Sequence, residues 1–270
     1  MSYASREELV SGSQIPLRIV ETPEDVFYAM ALDMYDTIKN NNDQKKRTVL
    51  IVPVGPVGQY RRLAMLINRY GLNMENTYWF NMDEYLDDSG SAVHNTHPLS
   101  FEGTIKRELF DRIDDGLKVP PENQCFPSPE NIAGFYDRMQ SLGGVDVCFG
   151  GIGINGHVAF NEPPEPGELV TDEDFMALGG RSLDISRETI TINASFSTNG
   201  DISAMPARCC TVGMKEILAA RKIKLYMCRD WQAGILRRVA LGPSTCKVPA
   251  SLLRHHRDVE IIVSENLLID

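Results

Sequence analysis

The chain has 270 residues, with 27 Lys and Arg against 37 Asp and Glu, a formal net charge of −10 and 43% hydrophobic residues. That length buries a sizeable core and fits a single domain over residues 1–270, while the acidity excludes the clustered basic footprint that nucleic acid requires. No apolar run approaches the roughly 20 residues needed to span a bilayer, and the opening Met1-Ser2-Tyr3-Ala4, followed by Arg6-Glu7-Glu8, lacks the apolar stretch of a secretion signal. A cytoplasmic protein with no membrane partner is expected.

Along the chain, short apolar runs bounded by turn signals read as strands: 47–55 (RTVLIVPVG), 77–83 (TYWFNMD), 144–153 (GVDVCFGGIG), 222–228 (KIKLYMC) and 259–265 (VEIIVSE). They are rich in β-branched residues and apolar at both alternating positions, the pattern of strands covered on both faces. Helical spacing marks about 23–40, 58–70, 98–112, 128–141, 230–241 and 249–256. The alternation predicts an α/β fold, a doubly wound and mostly parallel Rossmann-like sheet, with ligands at the carboxyl ends of its strands. The Pro-, Gly- and acid-rich segment 163–182 reads as a long surface loop or lid.

Three stretches follow strands and could carry chemistry. The turn at 53–60, PVGPVGQY, presents Gly55, Val57 and Gly58 before a helix, and reads equally as an anion-binding turn or a plain tight one. At 79–86, WFNMDEYL, a strand ends in Asp83-Glu84; one carboxylate there can serve as a general base, although a helix cap uses the same residue types. In 149–163, FGGIGINGHVAFNEP, Gly153 and the Asn155-Gly156 turn set His157 beyond the strand end with Glu162 five residues on. A carboxylate on one imidazole nitrogen fixes the tautomer and makes the other nitrogen more basic, so His157 and Glu162 form a candidate acid/base pair.

The six cysteines show no C-x-x-C spacing and read as reduced, buried thiols. His94 and His97 form an H-x-x-H pair without a third ligand, so surface or capping roles are expected and no metal. His255-His256 fall at a predicted helix end, where the dipole favours them.

Taken together, NMDEY at 81–85, His97-Pro98, GGIGINGHVAFNEP at 150–163, TVG at 211–213 and VPAS at 248–251 resemble the glucosamine-6-phosphate deaminase/isomerase family, in order and spacing. The resemblance covers roughly residues 20–265. It implies a modified Rossmann-like sheet, no cofactor or metal, and conversion of an amino-sugar phosphate to a ketose phosphate and ammonia. It further implies that Asp83 moves a proton between C2 and C1, that His157 assists ring opening, and that Glu162 orients it. Asn155 stands where the family usually has Asp, as in the branch resembling galactosamine-6-phosphate isomerases.

At the family's phosphate-binding positions Ser195 replaces an arginine and Trp231 falls near a lysine, so Arg229, Arg208 or Arg187 would have to supply the cation, or the substrate carries no phosphate. The family's allosteric phosphate stretch is replaced by 163–182. Its members differ in subunit number, which leaves homo-oligomerisation open. The 6-phosphogluconolactonases share this fold, so sugar-lactone hydrolysis is an alternative expectation, and a non-catalytic sugar sensor is another.

Overall fold

The computed structural model describes residues 4–268; the first three residues, on which the reading of the N-terminus partly rests, lie outside them. Ten strands are described: β1 (Leu17–Val20), β2 (Thr48–Val52), β3 (Thr77–Asn81), β4 (Asp83–Leu86), β5 (Gln124–Cys125), β6 (Val147–Gly150), β7 (Arg181–Asp184), β8 (Arg208–Thr211), β9 (Lys222–Met227) and β10 (Val259–Ser264). The described α-helices are α1 (Arg6–Gly12), α2 (Pro23–Asp43), α3 (Gln59–Tyr70), α4 (Phe101–Glu108), α5 (Phe135–Ser141), α6 (Asp172–Met176), α7 (Arg187–Ser197), α8 (Met214–Leu218) and α9 (Gln232–Leu241). None of them is long and apolar enough to cross a membrane.

Seven strands form one parallel sheet in the order β1-β10-β9-β6-β2-β3-β5. The doubly wound α/β expectation holds, for the reason the strand sequences give. In β2 every residue is buried: Val49 and Ile51 join a core shared with α1, α5, α8 and α9, and Leu50 and Val52 join another shared with α2 and α3. Removing each such side chain from water contributes about 1.5–3 kcal/mol, which is why a strand apolar at both alternations is driven between two helical layers.

From β2 the chain runs outward through β3 to β5, then returns to β6 on the other side of β2 and continues to β9 and β10. The carboxyl ends of β2 and β6 therefore diverge into a crevice, the place where this architecture binds ligands.

A second, antiparallel sheet, β4-β8-β7, sits beside this crevice. Here the structure corrects the single strand expected over 77–83. The chain leaves the large sheet at Met82, whose N–H donates to Val52 O (2.9 Å) while its carbonyl accepts from Val212 N (2.7 Å), and Asp83 opens β4 in the other sheet. Three expected helices also depart from their spacing, and of 128–141 only a 3-10 turn at Ile132–Gly134 and α5 are helical. Residues 98–112 become α4 plus a 3-10 turn at Phe110–Arg112, and 249–256 is a 3-10 helix, Pro249–His255, lying flat on the core.

The segment 163–182 is not a lid over the crevice. Thr171 caps α6, Asp172 accepts from Cys246 N (2.6 Å), and Phe175 is buried in the core beneath, which fastens the segment to the flank of the domain.

Candidate active site

A cleft of about 420 Å³ opens at this crevice, walled by the segments that follow β2, β3, β6 and β9 and by one face of α7. The β2 segment contributes Pro53–Val57, the β6 segment Gly151–Gly153, His157, Ala159 and Phe160, and the β9 segment Cys228, Arg229, Trp231 and Gln232. Asp83 enters from β4, with Tyr85 two residues on and so on the same face of the strand.

The β6 segment is shaped by two glycines. Gly156 takes φ +93°, and a Cβ there would meet Val248 at 2.8 Å; a Cβ on Gly153 would fall 2.0 Å from His157 Cε1 and 2.1 Å from Nε2. The imidazole thus lies against the bare backbone of Gly153, whose N–H closes the turn by donating to His157 O (2.9 Å). Ala159, between His157 and Glu162, holds φ +54°, a costly left-handed conformation for a residue with a side chain. The turn is fastened from outside: Asn161, fully buried, donates to Val158 O and Val212 O and accepts from Arg181, and Phe160 N donates to Thr211 Oγ1 (3.1 Å).

One edge of the His157 ring is fully engaged. Nδ1 lies 2.8 Å from Asn155 Oδ1, 3.2 Å from Thr189 Oγ1 and 3.3 Å from Glu162 Oε2. An amide oxygen only accepts, so Nδ1 carries a hydrogen, and in the neutral ring Nε2 is the basic nitrogen. Asn155 also donates Nδ2 to Glu162 Oε2 and to Ser186 Oγ (3.2 Å). Burial opposes ionisation of Glu162, but the hydrogen bond and charge of His157, with Asn155 and Thr189, prevail and hold its carboxyl down to about 2. Glu162 is therefore a fixed carboxylate behind the ring.

Asp83 is the opposite case. It is 6% exposed, and burial first, then the charge of Glu84, pushes its carboxyl well above the usual carboxylate range. Glu84 itself does not line the cleft. It turns away to the start of α4, where it accepts from Tyr85 N (2.9 Å), Ser100 Oγ (3.0 Å), Phe101 N (2.9 Å) and Glu102 N (2.8 Å). Four donors converging on one carboxylate make it an anchor between β4 and α4 rather than a substrate contact.

The remaining candidates separate in the same way. Gly55, Val57, Gly153 and Arg229 line the cleft. Gly58 does not; it caps α3, and a Cβ there would strike the Phe27 ring at 2.5 Å, so its role is the approach of α3 to α2. Arg208 is exposed at the start of β8 and pairs with Asp184 (3.2 Å), away from the lining. Arg187 is exposed at the first turn of α7, also outside the lining. Ser195 is exposed and donates back to Ile192 O (2.7 Å).

His94 and His97 stand in local turns, His94 Nδ1 2.8 Å from Thr96 Oγ1 and His97 Nδ1 accepting from Leu99 N (3.2 Å). Among the described residues no group of three or more His, Cys, Asp or Glu is placed to hold a metal.

Sequence reasoning missed α7 and the residues it brings. Ser186 caps it, Thr189 reaches His157, and Asn193 and Phe196 line the cleft, with Asn193 Nδ2 donating to Tyr85 Oη (3.1 Å). The spacing of Thr189, Asn193 and Phe196, four and then three residues, puts them on one helical face. Gln232 was also missed: its Oε1 accepts from Cys228 N and Arg229 N, both at 2.9 Å, and its Nε2 donates to Ile152 O (2.8 Å), tying the β9 segment to the β6 segment.

No protein-family profile matches the chain. Individual relatives do. A glucosamine-6-phosphate deaminase of Clostridium perfringens (strain SM101) is 30% identical over 254 residues, 93% of this chain and 97% of that protein. One of Lachnoclostridium phytofermentans is 32% identical over 226 residues, 81% of this chain and 87% of that protein. Among solved structures, a monomeric glucosamine-6-phosphate deaminase superposes with a TM-score of 0.79 at 25% identity, covering 93% of this chain and 98% of the other. A 6-phosphogluconolactonase from Trypanosoma cruzi reaches 0.65 at 14% identity over 99% and 98%, a likeness of fold alone. The resemblance carried by the motifs thus extends over most of the chain, and the protein belongs to the glucosamine-6-phosphate deaminase family.

Proposed function

We propose that the protein is an enzyme that isomerises a 2-amino-2-deoxyaldose and releases its nitrogen, giving a ketose and ammonia. The observation that carries this reading is the pairing, across one cleft, of a buried Asp83 carboxyl with a His157 ring whose Nδ1 edge is held by Asn155, Thr189 and Glu162. His157 Nε2 moves the proton between O1 and the ring oxygen, which opens the pyranose to an aldehyde and makes the C2 hydrogen acidic. Asp83 removes that hydrogen, leaving a C1–C2 enolamine, and returns the proton to C1, so that C2 becomes an iminium carbon. Water adds at C2, and the C–N bond breaks to release ammonia and leave the ketone, one water consumed in all.

A carboxyl lifted by burial suits the shuttle between C2 and C1, since an acid closer to neutrality gives a proton back as readily as it takes one. Glu162, held ionised, supports positive charge on His157 during ring opening.

The test is ammonia release from glucosamine, galactosamine and their 6-phosphates by the wild-type protein and by Asp83→Asn. Release that disappears in the variant is expected. Release that survives it, or ligand binding with no turnover of any of the four, defeats the reading.

A further inference from the structure

We infer that the sugar this cleft accepts is an unphosphorylated amino sugar, without the phosphate for which the family's relatives are named; this rests on the reading of the site as an amino-sugar deaminase. With C1 and C2 at Asp83 and His157, the rest of the sugar meets the walls supplied by the β2 segment, the β9 segment and the end of α7.

Those walls are poor in charge. Among the described residues Arg229 is the one Lys or Arg that lines the cleft, and its guanidinium carbon sits 4.5 Å above the centroid of the Phe196 ring, so it is stacked between the β9 segment and α7. The β2 segment, Pro53–Val57, offers no hydroxyl or charged side chain, and Pro53 and Pro56 have no N–H to donate. The Ser195 hydroxyl is spent on its own helix, Arg208 is paired outside, and at the end of α7 Ser197 adds one uncharged hydroxyl to the lining.

A phosphate monoester brings a charge of about −1.5 to −2 and three acceptor oxygens, and is held by several charge-assisted donors. A single stacked guanidinium, with the roughly half charge of the α3 N-terminus, falls short of that on a wall that would also strip the phosphate of water. What these walls do offer is flat apolar surface: Val54, Val57, Phe196 and the Trp231 indole. Aromatic faces of this kind pack against the C–H face of a sugar, while Arg229 donates in its own plane to hydroxyls.

Calorimetric titration of Asp83→Asn, in which turnover is expected to fall by about 10²–10⁴-fold, with glucosamine, galactosamine, their 6-phosphates and inorganic phosphate decides the matter; thermal shift of the wild-type protein with the same compounds guards against a folding fault in the variant. At least one unphosphorylated hexosamine is expected to bind as tightly as its 6-phosphate or tighter, without competition from inorganic phosphate. A tenfold or greater preference for a 6-phosphate, displacement by inorganic phosphate, or no binding of either unphosphorylated sugar overturns the inference. Ammonia assayed separately keeps the two claims apart: unphosphorylated sugars that bind but yield no ammonia defeat the deaminase reading and leave this one standing.

Discussion

Asn155 holds His157 by the oxygen of its amide, 2.8 Å from Nδ1, and with the nitrogen of the same amide it holds Glu162. A neutral residue therefore joins the ring to its carboxylate, and its two ends are not interchangeable: oxygen faces a donor and nitrogen faces an acceptor. Asp at this position would present a second carboxylate to His157 and lose the donor to Glu162. Asn155→Asp is expected to lose about 1.5–3 kcal/mol of stability at pH 7 by urea titration, because the donor to the Glu162 carboxylate is replaced by a second negative charge beside it. A variant as stable as the wild type would mean that the contact between Asn155 and Glu162 contributes nothing in solution.

Thr189 and Ser186 extend the same network into α7, and their absence from the sequence reading shows what the pattern could convey. Five strands of the large sheet, β2, β3, β6, β9 and β10, were legible as apolar runs, whereas the half-buried edge strand β1 and the two-residue edge strand β5 gave no such run; the glycine-flanked His157 stood out as a polar side chain in a turn built to expose it. The helix α7, with Thr, Ser and Asn scattered over RETITINASFS, turns only Ile190 and Ala194 to a hydrophobic cluster, buries Thr189 against His157 and points Asn193 and the exposed Phe196 into the cleft, so periodicity gave little signal. Glu84 misled for a related reason. Adjacent residues on a strand point to opposite faces, and only the partners at Ser100–Glu102, farther along the chain, decide which carboxylate faces the cleft.

Asp83 and Glu162 should respond to pH with opposite signs. The folded-state pKa of Asp83 is raised, so its ionisation costs stability; that cost is absent below the unfolded value of about 4 and grows as pH rises toward the folded value. Asp83→Asn is therefore expected to melt higher than wild type at pH 8 and with it at pH 3.5, while activity falls by about 10²–10⁴-fold. Melting curves of both proteins at the two pH values check this, and a variant less stable at pH 8 would contradict the burial argument.

For Glu162 the folded value is depressed from 4.5 to about 2, so its stabilisation is complete above the unfolded value and is lost as pH falls through about 2. Glu162→Gln is expected to lose up to about 3 kcal/mol near pH 7, a loss that shrinks below pH 4. Urea titrations at pH 7 and pH 3 measure the difference, and equal losses at both would assign the effect to packing instead of charge.

Glu84→Gln separates an anchor from a catalyst. The carboxylate accepts three donors at the start of α4 and a fourth, Tyr85 N, within β4, and the amide that replaces it turns one of those acceptors into a donor facing other donors. A loss of about 2–3 kcal/mol is expected, with kcat for the folded fraction reduced far less than in Asp83→Asn. If turnover fell as steeply as in Asp83→Asn while the melting temperature held, Glu84 would belong to the chemistry after all.

Gly153→Ala tests whether the position of the ring, rather than its presence, sets the rate. The added methyl would lie 2.0 Å from His157 Cε1, closer than any contact can be, and the imidazole is the movable partner because Gly153 is fixed by its hydrogen bond to His157 O. Displacing the ring stretches its bonds to Asn155 and Thr189 and carries Nε2 away from the sugar oxygens, while Asp83 and the walls that bind the rest of the sugar are untouched. A misplacement of about 1 Å costs on the order of 100-fold in rate, so kcat is expected to fall by that factor with KM nearly unchanged. A rise in KM with kcat preserved would instead place Gly153 against the substrate and leave the ring where it is.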